Sequence, residues 1–144
     1  MLIKEVMTSS PVSCKPTDTV DRVAALMAEH DCGVIPVVEG RKVVGMITDR
    51  DVTCRVVATG KAPASVAVRD VMTKPVYAVR QDENVQSAID LMEAKQVRRL
   101  PVLDDRGNIA GIIAPSDLAP TFASMDVADF LLAVSYWTRK PIPV

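Results

Sequence analysis

Val20, Val23, Ala24 and Met27 fall at i, i+3, i+4 and i+7, which predicts a helix with one apolar stripe. Asp18 and Asp21 put acid in its first turn, where the macrodipole favours it, and His30 closes it. Val12 to Cys14, after Pro11, predicts a short strand ahead of this helix. Val34 to Val38 and Lys42 to Ile47 are β-branched runs around Glu39-Gly40, the pattern of a hairpin. A further helix is expected from about Thr48 to Ala58.

The whole order then returns some 65 residues later. Val6-Met7-Thr8 recurs as Val71-Met72-Thr73, and the apolar stripe as Val85, Ala88, Ile89 and Met92. Ile35-Pro36-Val37 recurs as Leu100-Pro101-Val102, and Gly45-Met46-Ile47-x-x-x-Asp51 as Gly111-Ile112-Ile113-x-x-x-Asp117. A unit this long in two copies predicts an α/β fold of two pseudo-twofold-related β-α-β-β-α repeats rather than a solenoid. Neither half is expected to close a core alone, so the two repeats should pack through their sheets. The expected boundaries are 1–60 for the first repeat, 61–68 for a linker and 69–120 for the second repeat. Residues 121–144 follow as a C-terminal amphipathic helix and tail. Phe122, Met125, Val127, Phe130, Leu131, Val134 and Trp137 would line its broad apolar side, with Asp126 and Asp129 early and Arg139 and Lys140 late. That side would either dock on the protein's own surface or form a self-association face.

Composition narrows the function. Net charge is −1, which argues against a general nucleic-acid binder, since such proteins need a basic surface. No apolar run approaches a membrane span. Cys14, Cys32 and Cys54 are odd in number and widely spaced, which suits reduced thiols in the cytoplasm. Cys14 and Cys54 read as small buried fillers. Met7, Met27, Met46, Met72 and Met92 stand at matched places and read as core. His30 is the only histidine, so neither a metal site nor a His-based catalytic site is expected.

The residues with chemistry to offer stand where a strand gives way to a helix, in Gly45-Met46-Ile47-Thr48-Asp49-Arg50-Asp51. Free N–H groups and the Thr48 hydroxyl there suit a phosphate, while the Asp51 carboxylate suits the two hydroxyls of a ribose cis-diol. Thr-x-x-Asp also has the form of a capping box, in which the two side chains satisfy their own helix.

Taken together, in order and twice, Val-Met-Thr, hydrophobic-Pro-Val and Gly-x-x-[Thr/Ser]-x-x-Asp resemble a pair of CBS domains, a Bateman module, over roughly residues 1 to 120. The resemblance implies a non-enzymatic regulatory module. It would bind AMP, ADP, ATP or S-adenosylmethionine in clefts between the repeats, with no cofactor required. In such modules the acid of the last motif holds ribose and the hydroxyl residue touches phosphate. Carried over, the first repeat supplies Thr48 and Asp51 with Arg50 nearby, and the second supplies Asp117, Ser116, Arg98 and Arg99. Base contacts would come from Ser10-Pro11-Val12 and Lys74-Pro75-Val76. Ala114 replaces the second hydroxyl residue, and Gly33 and Val34 stand where the second copy has Arg98 and Arg99. Unequal clefts are therefore expected, with tighter binding where Asp51 sits. A homodimer and an unidentified target protein are the expected outlets for the signal. The alternatives are a structural or interaction protein with vestigial clefts, or a nucleic-acid binder.

Overall fold

The computed structural model describes residues 1–122 and 124–135. Its strands are β1 (Thr8–Ser9), β2 (Val34–Glu39), β3 (Lys42–Thr48), β4 (Val79–Arg80), β5 (Leu100–Leu103) and β6 (Ile109–Ile113). Its helices are α1 (Val20–Glu29), α2 (Asp49–Val52), α3 (Val85–Lys95), α4 (Pro115–Leu118) and α5 (Ser124–Ser135). A single π-type stretch, Thr53–Val57, continues α2. The architecture is the expected mixed α/β duplication with a C-terminal helix.

Local patterns form as the sequence dictates. In α1 the stripe Val20, Val23 and Met27 is buried, and in α3 the stripe Val85, Ala88, Ile89 and Met92. Asn84 caps α3 by accepting from the Gln86 N–H at 3.0 Å. Asp21 lies in the first turn of α1, where the Thr19 hydroxyl beside it holds its carboxyl below the usual carboxylate range. Asp18 lies ahead of the helix instead and accepts from the Lys15 N–H at 2.8 Å. Strands β2 and β3 form the hairpin, turning at Gly40 with φ +65°, a conformation glycine adopts without steric cost. His30 stands at the C-cap of α1. The run Val12 to Cys14 yields no regular strand. Only Cys14 pairs, in a parallel bridge to Val37. The run is closed off by Pro11 and Pro16, neither of which has an N–H to extend a ladder.

The chain divides into two compact units, and the division cuts across the repeats. The first unit is Ser10–Val76 with Gly107–Ile109; the second is Met1–Ser9 with Tyr77–Arg106 and the chain from Ala110 onward. Each has its own core, and neither core is built from one repeat alone. In the first unit Val66, Val68 and Val71, which lead into the second repeat, are buried against Val20, Val23, Ile35, Val37, Ile47 and Val56. In the second unit Ile3, which leads into the first repeat, is buried against Ala88, Met92, Leu100, Val102 and Ile113, with Val6 and Met7 beside it. The stretch 61–68 is therefore no free tether, because Val66 and Val68 are part of a core. Full burial of one such side chain is worth about 1.5–3 kcal/mol, so each lead-in segment contributes substantially to the unit it joins.

Strand β1 adds to an edge of the second unit's sheet, in the order β1-β6-β5-β4, pairing Thr8 with Ile112 and Ser9 with Gly111. In the first unit the counterpart is a bridge between Thr73 and Met46. Helix α5 docks on the second unit's core through Phe130 and Val134, with the Phe122 and Phe130 rings 5.1 Å apart. Of the expected stripe, Leu131 lies outside it and is 46% exposed. Trp137, Arg139, Lys140 and the side chains of Met125 and Asp126 lie outside the described residues. Of the five matched methionines, Met27, Met46 and Met92 are buried, while Met7 and Met72 pack half-buried on the cores. Of the cysteines, Cys14 is buried but Cys54 is exposed, because it falls on the outer side of the π-type stretch whose inner residue is Val56.

Two measurements check this packing. A Cβ at Gly45 would strike the flexible Met72 side chain, whereas at Gly111 it would lie 2.7 Å from the Thr8 backbone oxygen as well as against Met7. Gly111→Ala should therefore cost more stability than Gly45→Ala, with overpacking costs of about 1–3 kcal/mol, read from urea unfolding. Burial, with Asp18 second, pushes the Cys14 thiol up from 9.0 to about 12. The folded protein thus holds that proton more tightly than the unfolded chain. The resulting stabilisation is complete below pH 9.0 and is lost as pH rises toward about 12. Alkylation of the native protein in mildly alkaline buffer should accordingly label Cys54 and spare Cys14.

Candidate functional site

In the first unit, β3 ends at Thr48 and α2 begins at Asp49, so Thr48 is the N-cap and Asp51 the third helical residue. The capping box is formed. The Thr48 hydroxyl accepts from the Asp51 N–H at 3.1 Å, and Asp51 Oδ2 accepts from the Thr48 N–H at 3.0 Å. Because Thr48 Oγ1 acts here as acceptor, its own proton remains available to a phosphate.

Asp51 is one of the few buried polar residues, at 6% exposure. Its carboxylate is engaged by two residues that the sequence alone did not single out for the site. The Thr73 hydroxyl donates across both oxygens, 3.1 Å from Oδ1 and 3.0 Å from Oδ2. The Arg55 guanidinium stands 3.7 Å from Oδ1. Arg55 Nη1 also donates to the Val71 and Met72 carbonyls at 2.9 and 3.2 Å. Thr73 is held further by a reciprocal backbone pair with Met46, at 2.7 and 3.2 Å. The signals for both residues were present: Thr73 is the polar member of the repeated Val-Met-Thr triplet, and Arg55 stands one helical turn beyond Asp51.

These bonds bring Thr73 to the strand–helix junction. Among the expected base-contacting residues Lys74 and Pro75 are exposed and Val76 is half-buried. Ser10, Pro11 and Val12 belong to the same unit, with Ser10 exposed and Val12 packed against the core. Arg50 is exposed on α2.

The second unit repeats the frame with weaker polar detail. Ala114 occupies the N-cap of α4, so only half of the box forms: Asp117 Oδ2 accepts from the Ala114 N–H at 2.8 Å. Asp117 is half-buried and Ser116 exposed. Thr8 stands at the repeat position of Thr73, but its side chain is exposed and has no hydrogen-bond partner among the described residues. Thr121 stands where the first repeat has Arg55 and bonds its own helix at the Leu118 carbonyl, 2.6 Å away. Arg98 and Arg99 are exposed just before β5. Arg98 Nε reaches the Val134 carbonyl in the last turn of α5 at 3.4 Å, and Arg99 donates to the Arg98 carbonyl at 2.9 Å. Among the described residues there is no cluster of three or more metal-ligating side chains, and no helix long and apolar enough to cross a membrane.

Comparison with known proteins agrees with this geometry. An uncharacterized protein of Methanopyrus kandleri is 38% identical over 117 residues, 81% of this chain and 60% of that protein. A conserved CBS domain protein of unknown function from Thermoplasma acidophilum has the same fold, with a TM-score of 0.81 and 26% identity over 92% of this chain and 75% of that one. A CBS domain pair solved in complex with 5′-methylthioadenosine and S-adenosyl-L-methionine superposes with a TM-score of 0.75 at 24% identity, covering 85% of this chain and 95% of that one. The CBS domain family model matches twice, over residues 3–57 and 68–123. With two such matches spanning most of its length, the chain belongs to the CBS domain family as a tandem pair.

Proposed function

We propose that this protein is a regulatory, non-catalytic module that binds an adenine nucleotide or related adenosyl compound. One observation carries the reading. Asp51, the hydroxyl of Thr48 and Thr73, which leads into Lys74-Pro75-Val76, meet at one strand–helix junction of one unit through the Thr48–Asp51, Thr73–Asp51 and Thr73–Met46 bonds. An adenosine needs that combination: a carboxylate for its two ribose hydroxyls, and backbone polar groups and an apolar edge for its base. A neighbouring hydroxyl donor serves any phosphate. A carboxylate has about four lone-pair sites. Thr48 N–H takes one of them, and the single Thr73 proton is shared across both oxygens, so a cis-diol bonds there in exchange for Thr73. The fold relative crystallised with methylthioadenosine and S-adenosylmethionine makes adenosyl compounds the class to test first.

In this reading Asp117 is the ribose acceptor of a second site, with Ser116 as the available hydroxyl in place of Ala114. Ser10-Pro11-Val12, Arg50, Arg98 and Arg99 are the further contacts to test. Occupancy is passed to a target protein by a change of conformation, or through a homodimer, in the cytoplasm where such ligands abound.

Calorimetric titration with AMP, ADP, ATP and S-adenosylmethionine checks this. Saturable binding of at least one is expected. Asp51→Asn, which keeps an acceptor for the Thr48 N–H, should weaken the site it lines by about ten- to a hundredfold, as for hydrogen bonds to a charged group. Asp51→Asn/Asp117→Asn should abolish binding. Absence of heat with all four ligands in folded protein, with or without these changes, would favour a purely structural or interaction role.

A further inference from the structure

The two repeats hold their ribose-suited acids differently, and the difference lies in residues outside the shared motif. Asp51 is covered. The Thr73 hydroxyl spans both its oxygens, Arg55 stands beside Oδ1, and the Asp51 side chain is only 8% exposed. Asp117 is half-buried, and among the described residues its carboxylate accepts from the Ala114 N–H alone. Thr8 matches Thr73 in the repeat, but its hydroxyl makes no such bond, and Thr121 takes the place of Arg55.

We infer that the Thr73 hydroxyl is an internal competitor for the Asp51 carboxylate, lowering ligand affinity at that site, while among the described residues no hydroxyl competes in this way for Asp117. The inference rests on the reading of Asp51 and Asp117 as ribose acceptors. A ribose hydroxyl approaching Asp51 needs the lone pairs that Thr73 now shares. Donation by Thr73 to both oxygens at nearly equal distance marks it as one donor standing where two would fit. Rotation about χ1 of Thr73 releases the carboxylate without disturbing the backbone, because the Thr73–Met46 pair involves main-chain atoms alone. On this inference the site with the complete capping box is the one that carries a competing donor, the opposite of the ranking expected from the motifs.

Thr73→Val removes the hydroxyl while keeping shape and branching, so the backbone pair persists. Read in an Asp117→Asn background, where only the Asp51 site remains, it should raise adenosyl-ligand affinity by about tenfold, the loss of one competing bond. The melting temperature without ligand should fall, because a buried acceptor loses its donor. Thr73→Ser should restore both parent values. Thr8→Val, read in an Asp51→Asn background, should leave the Asp117 site unchanged. A melting temperature that falls with no gain in affinity, or with a loss, would overturn the competitor role yet leave the ligand reading intact. Failure of every adenosyl compound to bind any of these variants would overturn both.

Discussion

The constraint on which the structure depends is that each core is closed by the segment that leads into the other repeat. Val66, Val68 and Val71 complete the first unit, while Ile3, with Val6 and Met7, completes the second. The exchange requires a place for the incoming methionine on the strand that receives it, and glycine provides it at Gly45 and Gly111. A side chain at either position would meet Met72 or Met7. The family match begins each domain at its own lead-in, at residues 3 and 68, whereas packing assigns each lead-in to the opposite partner. Sequence similarity follows ancestry along the chain; burial follows whichever apolar surface is left open.

That exchange also builds the candidate site. Thr73 reaches Asp51 because Val71 and Met72 are anchored on the first unit's core, and Arg55 reinforces the anchor by bonding their carbonyls. The polar chemistry is thus a consequence of apolar docking two residues away. Burial raises what is at stake in these bonds, since a carboxylate left unsatisfied at low exposure costs more than the same group in water.

Duplication preserved the apolar frame and let the polar details diverge. The glycine, the methionine and the acid recur in both units. Among the described residues, the N-cap hydroxyl, the helix arginine and the hydroxyl-to-acid bond occur in the first unit alone. Selection on a core is selection on volume, which both copies share. A recognition site depends instead on individual donors and acceptors, each of which can change without unfolding the unit. Arg98 shows how such details can be diverted. A cation suited to phosphate spends one donor on the end of α5, where the helix dipole favours positive charge.

Local pattern carried much of this protein. The stripes of α1 and α3, the hairpin, the capping box of Thr48 with Asp51 and the duplicated order were legible, because periodicity, turn chemistry and capping act over a few residues. The faces of α5 were only partly legible, since Phe130 and Val134 turn inward while Leu131 does not. The partners of Ile3 and Val66, the cover that Thr73 places on Asp51 and the role of Arg55 were decided by tertiary structure. Each joins positions separated by a strand or a helix or more, and long-range burial, rather than any local preference, selects which segments meet.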